Sequence, residues 1–265
     1  MAEIEKEKRE EYLAGEKYIR SFGETQEEVE CFCAEAVQRA KDVLAKLGGI
    51  SAKTGRKAPT LLAATKTVSA EVINRVCLES GIKDIGENRV QELMAKYDSL
   101  DPSLRVHFIG QLQKNKVKYV VGRASVIHSV DSVALAEEIA RRSRALGIVT
   151  DILIEINIGR EECKGGIMSE QLDEFFDRIS AFEGIRVLGV MTIAPKESEN
   201  RDYYKYFEET YQIFIDFSRK KLHNIDNAVL SMGMSGSYVA AAECGSTLVR
   251  VGSAIFGQRP ALPTA

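Results

Sequence analysis

Lys66 is the residue whose type and position most directly suggest chemistry. It follows the apolar run 60–65 (TLLAAT), at the point where a buried strand is expected to end. A lysine in that position is either a solvated strand-end residue or a reactive amine at the opening of a core. An apolar opening would lower the pKa of the amine, and the uncharged amine can attack an aldehyde to form a Schiff base.

Two short segments near the end of the chain are rich in small residues. The first is SMGMSGS, which contains Ser231 and Ser235, and the second contains Gly252 and Ser253. Backbone N–H groups at a helix start, together with serine hydroxyls, can bind a phosphate. Glycine and serine also form ordinary turns, so either segment alone would indicate nothing more.

Arg250 is a second unusual charge, because it lies near the end of the otherwise apolar run 247–251 (TLVRV). An inward-facing arginine would need an acceptor, such as a phosphate or a ring nitrogen. An outward-facing one could extend along a surface helix to solvent, and the sequence alone leaves both interpretations open. A phosphate site facing Lys66 would suit a phosphorylated aldehyde, and pyridoxal phosphate and phosphosugars both qualify.

The elements that must position these residues alternate between strand-like and helical patterns. Such alternation predicts a parallel sheet covered by helices, and eight strands fit an α/β fold consisting of a single (β/α)8 TIM barrel, with an open doubly wound sheet as the alternative. Barrel sites lie at the carboxyl ends of the strands, with phosphate at strands seven and eight. The predicted strands are 60–65, 82–86, 105–109, 124–128, 151–158, 185–192, 227–231 and 247–251.

The beginning of the chain has a different pattern. Residues 1–23 form a charged N-terminal extension, and residues 24–265 are expected to form the barrel domain. Thr25 and Glu28 predict a capping box that starts an amphipathic helix, which we expect to end at Gly48-Gly49. This helix over 25–47 is expected to cover the barrel where a terminal helix would otherwise pack.

The bulk composition excludes several classes of protein. The 265 residues are 45% hydrophobic with a net charge of −3, which is typical of a globular protein and argues against a nucleic-acid partner. The absence of a membrane-spanning run or signal peptide predicts a cytoplasmic protein. Five scattered cysteines predict reduced thiols, and no metal site is expected.

Eight ordered sequence blocks resemble the pyridoxal phosphate homeostasis protein family, which is related to the barrel domain of alanine racemase. The resemblance begins near residue 25 and covers nearly the whole remaining chain. The blocks are LLAATK, GENRVQE, HFIGQLQKNK, IHSVD, INIGREECKGGI, GVMTIAP, LSMGMS and STLVRVGSAIFG.

The resemblance implies a role for each matched residue toward pyridoxal 5'-phosphate (PLP), the vitamin B6 cofactor. Lys66 would form the Schiff base, and Arg250 would face the pyridine nitrogen. Ser235, Gly252 and Ser253, with Ser231 nearby, would hold the phosphate. Asn88 and Met191 would line the cofactor. His107 and the face formed by Gln111, Gln113 and Asn115 would shape the adjacent opening or serve a structural role.

The resemblance also implies a carrier, not a catalyst. A protonated arginine donates to the ring nitrogen and keeps it unprotonated, which makes the ring a poor electron sink. Alanine racemase shares that arrangement but takes an opposite tyrosine base from an additional β domain, and no such domain follows the last predicted strand here. We therefore expect PLP storage and delivery, possible apo-enzyme recipients and a monomer. The alternatives are a PLP-dependent racemase and a lysine aldolase acting on phosphosugars.

One position departs from the family pattern. Ser237 stands where members commonly have an aspartate. A serine there can still cap a helix, but we expect the lost negative charge to alter local hydrogen bonding and with it the detailed geometry of the phosphate loop.

Overall fold

A computed structural model describes residues 16, 19, 22–161, 164–195, 203–219 and 225–258. Eight parallel strands form a closed barrel in the order β1 to β8, and β8 pairs with β1. The predicted TIM barrel is confirmed, and the predicted strands match the observed ones to within about two residues at their ends. The strands are β1 Thr60–Ala64, β2 Asp84–Glu87, β3 Arg105–Phe108, β4 Val126–Val130, β5 Thr150–Ile156, β6 Ile185–Thr192, β7 Ile225–Ser231 and β8 Leu248–Val251.

Helices follow the strands and cover the outside of the barrel. Short 3₁₀ turns at Tyr97–Ser99, Lys114–Lys116 and Ser169–Gln171 supplement them. The helices are α1 Gln26–Thr54, α2 Ala70–Ser80, α3 Val90–Lys96, α4 Val117–Val120, α5 Val133–Ala145, α6 Leu172–Ile179, α7 Tyr203–Ser218, α8 Tyr238–Glu243 and α9 Ser253–Phe256.

The long helix α1 precedes the barrel and begins at the predicted capping box, because Thr25 Oγ1 accepts the Glu28 N–H and Glu28 accepts the Thr25 N–H. The predicted end at Gly48-Gly49 is wrong. The helix continues to Thr54 and ends at Gly55, whose φ is 69°. Two glycines cost a helix about 1 kcal/mol each, but Leu47 and Ile50 are both buried on one face and keep that turn packed.

Helix α1 covers the outside of the barrel beside β8, as expected. It packs against α2, α8 and α9. Arg39 Nε also donates to the Ile255 carbonyl at 2.7 Å, which ties α1 to the single turn of α9. Helix α1 therefore occupies the place where a full helix after β8 would lie. The predicted extension 1–23 falls almost entirely outside the described residues.

The interior of the barrel follows the two-residue alternation of its strands. Leu62 and Ala64 from β1 pack against Ile109 and Leu248 inside the barrel. A second interior group contains Val126, Leu153 and Met191. Side chains two residues apart on a strand share a face. The next inward-facing residue after each of these therefore lies nearer the carboxyl end of the barrel.

Within the described residues, no helix is long and apolar enough to cross a bilayer. The described cysteines are Cys31, Cys33, Cys77 and Cys244, and all four are free thiols. Cys163 lies outside the described part. No group of three or more histidine, cysteine or acidic side chains in the described part could hold a metal ion.

Candidate functional site

A cavity of about 290 Å³ opens at the carboxyl ends of the strands. It brings together six of the eight residues that the sequence predicts for the site: Lys66, Asn88, Ser235, Arg250, Gly252 and Ser253. Apolar side chains complete the wall, chiefly Ala64, Ile109, Ile193, Met234 and Phe256. The cavity thus combines an amine, a guanidinium and two small-residue loops.

Lys66 lies in a tight turn immediately after β1. It continues the inward-facing series of Leu62 and Ala64, which explains why a charge ends this apolar run. The turn is closed by the Val68 N–H, which donates to the Thr65 carbonyl at 3.0 Å. Lys66 is half-buried. Its side chain is therefore directed into the cavity by the strand register.

Arg250 faces the inside of the barrel, which excludes the outward-facing alternative. The residue is 4% exposed, and its guanidinium donates to Ser231 Oγ and, at 2.9 Å, to the Thr192 carbonyl. Burial lowers the pKa of Arg250 to about 10, against the attraction of Glu155. The guanidinium therefore remains protonated at neutral pH and acts as a fixed donor in the cavity wall.

Below Arg250, a chain of hydrogen bonds crosses the barrel interior. His128 Nδ1 lies 3.1 Å from Ser231 Oγ, and His128 Nε2 lies 2.8 Å from His107 Nδ1. His107 Nε2 in turn lies 2.9 Å from Asp84 Oδ1. Since an arginine only donates and a carboxylate only accepts, the two ends of the chain have fixed roles. The chain links Arg250 to Asp84 through Ser231, His128 and His107.

Two pKa values indicate where charge lies along this chain. Burial lowers the pKa of His128 well below 6.5, and the nearby Arg250 guanidinium acts in the same sense. Burial would raise the pKa of Asp84, but hydrogen bonds from His107 and Arg105 outweigh it and lower that pKa. His128 is therefore neutral and Asp84 ionised at neutral pH.

The loops after β7 and β8 approach each other at the other side of the cavity. Ser235 Oγ accepts the N–H groups of Gly252 and Ala254, at 3.1 and 3.3 Å. A Cβ on Gly252 would lie 3.0 Å from the Ala64 carbonyl oxygen, so the close approach of this loop to β1 favours glycine. Backbone amides and hydroxyls are thus concentrated where the sequence predicts a phosphate.

Ser237 behaves differently from our expectation. It occupies the N-cap position of α8, but its side chain makes no capping hydrogen bond. Ser237 Oγ instead accepts the Met234 N–H at 3.1 Å. The capping prediction is therefore wrong, and this serine closes the loop after β7 from within.

Three predicted residues lie away from the cavity wall. Met191 is 1% exposed inside the barrel, and Ser231 is fully buried between Arg250 and His128. His107 is also buried, in the hydrogen-bonded chain. It therefore has the structural role that the sequence left open, and the prediction that it shapes the opening is wrong. Gln111, Gln113 and Asn115 are exposed.

Glu155 is the functional candidate that the sequence reasoning missed. Burial, together with repulsion from Asp131, raises its pKa to about 7, against the attraction of Arg250. The available signal was a carboxylate inside the apolar strand DILIEINI, two residues after the inward-facing Leu153. Glu155 therefore belongs to the electrostatic surroundings of Arg250.

The residues of the cavity fit PLP. Lys66 offers an amine to an aldehyde, Arg250 offers a donor to a ring nitrogen, and the Ser235 and Gly252 loops offer donors to a phosphate. Asn88 Oδ1 is buried without a hydrogen-bond partner among the described residues, which leaves a polar atom in the wall for a ligand to satisfy.

Comparisons with known proteins agree with this geometry. The family described as "Alanine racemase, N-terminal domain" matches residues 44–260. The pyridoxal phosphate homeostasis protein of Aquifex aeolicus is 42% identical over 84% of this chain and 98% of its own length. That of Escherichia coli K12 is 34% identical over 81% of this chain and 92% of its own.

Solved structures share the barrel. A protein from Bifidobacterium adolescentis is 33% identical, covers 85% of this chain and 96% of its own, and has a TM-score of 0.79. PipY of Synechococcus elongatus PCC7942, solved with PLP bound, is 29% identical, with a TM-score of 0.69 over 80% of this chain and all of its own. Alanine racemase of Corynebacterium glutamicum is 15% identical, with a TM-score of 0.61 over 88% of this chain and 64% of its own, and shows the fold alone. The chain therefore belongs to the pyridoxal phosphate homeostasis protein family, within the alanine racemase N-terminal-domain type of barrel.

Proposed function

We propose that this protein binds PLP as a Schiff base on Lys66 and maintains the supply of the cofactor by storing and delivering it. One observation carries the proposal: a single cavity contains the Lys66 side chain, the Arg250 guanidinium and the two loops after β7 and β8. The names of the relatives and the PLP bound to PipY support the same ligand.

Each group in the cavity has a distinct part in binding. Bound PLP supplies a reactive aldehyde and, in enzymes, an electron sink. The loops after β7 and β8, with Ser235, Gly252 and Ser253, would hold the phosphate. Arg250 holds a proton on its own nitrogen and so leaves the ring nitrogen unprotonated. This favours reversible capture over carbanion chemistry and supports a carrier without catalytic turnover.

The first experiment tests the linkage to Lys66. PLP added to the purified chain should give the yellow colour of an imine, and borohydride reduction followed by peptide mapping should place the label on Lys66. Lys66→Ala should abolish both. Lys83→Ala provides the matched control, because Lys83 is exposed beside the start of β2 at the other end of the barrel. Labelling mainly at another lysine would remove the central assignment.

The second experiment tests the ring contact and the enzyme alternative. Arg250→Gln should shift the absorption of bound PLP and weaken its binding, whereas an unchanged spectrum and affinity would show that Arg250 does not face the ring. Incubation with a panel of amino acids in deuterated water should give no rapid exchange of α-protons. Rapid exchange at the rate of a racemase would overturn the carrier assignment.

Delivery is the remaining part of the proposal. Apo PLP-dependent enzymes are the recipients, the carrier acts as a monomer, and the cytoplasm is its compartment. Loaded protein mixed with an apo-enzyme should restore activity, and a rate that increases with apo-enzyme concentration indicates direct transfer. A rate fixed at the release rate of free PLP indicates transfer through solution. Light scattering measures the oligomeric state.

A further inference from the structure

Directly behind Lys66 lies a fully buried group of three ionisable side chains. Lys96 at the end of α3 is 1% exposed, Glu87 at the end of β2 is 0% exposed, and Glu92 on α3 is 1% exposed. Lys96 Nζ lies 2.9 Å from Glu87 Oε1 and 3.3 Å from Glu92 Oε2. We call these three residues the Lys96 cluster.

The Lys96 cluster binds the backbone on both sides of Lys66. Lys96 Nζ donates to the carbonyl of Thr65 at 3.0 Å, and Thr65 Oγ1 donates to Glu87 Oε1 at 2.6 Å. On the other side, the Thr67 N–H donates to Glu92 Oε2 at 2.5 Å. The residue before Lys66 and the residue after it are thus each held by a charged partner.

The turn that carries Lys66 requires such support. Thr67 has a φ of 67°, in the left-handed region that a β-branched residue avoids and where glycine is usual in a turn of this kind. A strained residue persists only when its surroundings hold it in place. The charge-assisted hydrogen bond from Thr67 to Glu92 is the contact that does so.

Stability alone does not explain the Lys96 cluster. Two carboxyl groups meet one ammonium group, and Glu87 Oε2 has no hydrogen-bond partner within the described chain. Burial raises the pKa of Glu87, against the attraction of Lys96. Buried ion pairs of this kind often contribute less to folding than apolar residues of the same size. What the cluster does provide is fixed geometry on either side of one lysine.

We propose that Lys96, with Glu87 and Glu92, is a positioning group that holds the amine of Lys66 in the conformation that reacts with an aldehyde. This inference rests on the proposed function, because it concerns the same amine. In this proposal, the Lys96 cluster sets how fast the imine forms and how stable it is. The other side of the cavity binds the ring and the phosphate.

Two ligands separate positioning from general damage. PLP can form the imine, whereas pyridoxine 5'-phosphate has the same ring and phosphate but no aldehyde. In Lys96→Met, affinity for PLP and the rate of imine formation should fall by about tenfold or more, since small misplacements of a reacting group carry penalties of that size. Affinity for pyridoxine 5'-phosphate should change by less than about twofold. A cavity that is merely distorted would lose both ligands equally, which would overturn the proposal.

Two further variants keep the test decisive if Lys96→Met folds poorly. Lys96→Met combined with Glu87→Gln removes opposite charges together, and Glu92 keeps Arg89 nearby, whose Nε lies 4.0 Å from Glu92 Oε1. Thr67→Gly leaves the Lys96 cluster intact and relaxes only the turn; it should fold at least as stably and still slow imine formation. Glu138→Gln is the matched control, because Glu138 pairs with Arg141 and Arg142 on α5, away from the cavity.

The outcomes distinguish the two proposals. If the unaltered chain forms the imine and the folded variants form it at the same rate, the positioning role fails while the proposed function stands. If the unaltered chain forms no imine and Lys66→Ala behaves identically, both fail together. A loss of affinity for PLP with retained affinity for pyridoxine 5'-phosphate supports both proposals. Urea titration of each variant measures its free energy of unfolding and shows that it is folded.

Discussion

The two sides of the cavity fix the polypeptide by different means. At the β1–β2 side, buried charges hold the turn that carries Lys66, through Lys96 and Glu92. At the β7–β8 side, the two loops meet through small residues and backbone amides, as in the contact between Ser235 Oγ and the Gly252 N–H. One side therefore suits a directed covalent bond, and the other suits the diffuse charge of a phosphate.

This difference has energetic consequences. A buried ion pair is nearly neutral for stability when complete but costly when one partner is removed. A neutral hydrogen bond contributes only about 1 kcal/mol to the free energy of unfolding, so its removal costs about that much. Substitutions on the first side should therefore affect the folded state, whereas those on the second side should affect ligand affinity while the fold remains.

The largest effect should come from breaking the Lys96 cluster with no compensation. Lys96→Ala leaves Glu87 and Glu92 buried together without the Lys96 ammonium, and we expect the free energy of unfolding to fall by about 3–5 kcal/mol. Ser235→Ala, on the opposite side, should lower it by about 1 kcal/mol. Urea titrations of both variants without PLP measure the contrast, and equal losses would contradict it.

The hydrogen-bonded chain beneath the cavity gives the next effect, which depends on pH. The folded-state pKa of His128 is lowered, so below about pH 6.5 the unfolded chain binds a proton that folded His128 does not. The stability contributed by neutral His128 is therefore lost as the pH falls from 6.5 toward the folded pKa, at up to about 1.4 kcal/mol per pH unit.

Other buried groups oppose that trend and have to be separated from it. The pKa of Glu155 is raised to about 7, so its protonation in the folded state stabilises the fold as the pH falls. The measurement is therefore a difference: the free energy of unfolding of the unaltered chain minus that of His128→Gln, taken at several pH values between 7 and 5. The difference should shrink with falling pH, and a constant difference would show that the folded-state pKa of His128 is not lowered.

The contrast between the two sides also explains what could be predicted from the sequence. Lys66 and Arg250 were recognisable because each is a charge in an apolar strand pattern, and strand alternation directs both to the interior. The small-residue loops were recognisable because their position after the last two strands has a known use in barrels. These signals are local, and the β7–β8 residues Ser235, Arg250, Gly252 and Ser253 that they indicate line one cavity.

The Lys96 cluster had no comparable local signal. Glu92 and Lys96 are four residues apart on a helix, a spacing that is typical of exposed ion pairs. Their burial arises because α3 packs beneath the turn after β1, a contact between distant segments that no single-segment pattern contains. The end of α1 was missed for the same reason: Gly48 and Gly49 favour termination, and tertiary packing of Leu47 and Ile50 overrides them.

The smallest effect tests the β7–β8 side by itself, with a pair of matched substitutions. Gly252 has an ordinary φ, so Gly252→Ala introduces no backbone strain, but its Cβ would lie 3.0 Å from the Ala64 carbonyl oxygen and push the loop away from β1. Gly236 lies in the same cavity wall with open space around it, so Gly236→Ala provides the control.

We expect Gly252→Ala to weaken PLP and pyridoxine 5'-phosphate alike, by about tenfold or 1.4 kcal/mol, because both ligands carry the phosphate that this loop would bind. Gly236→Ala should leave both affinities nearly unchanged. Titration calorimetry with the two ligands gives the comparison directly. A loss confined to PLP in Gly252→Ala would mean that the β7–β8 loops act on the imine and not on the phosphate, and the division of labour between the two sides would be wrong.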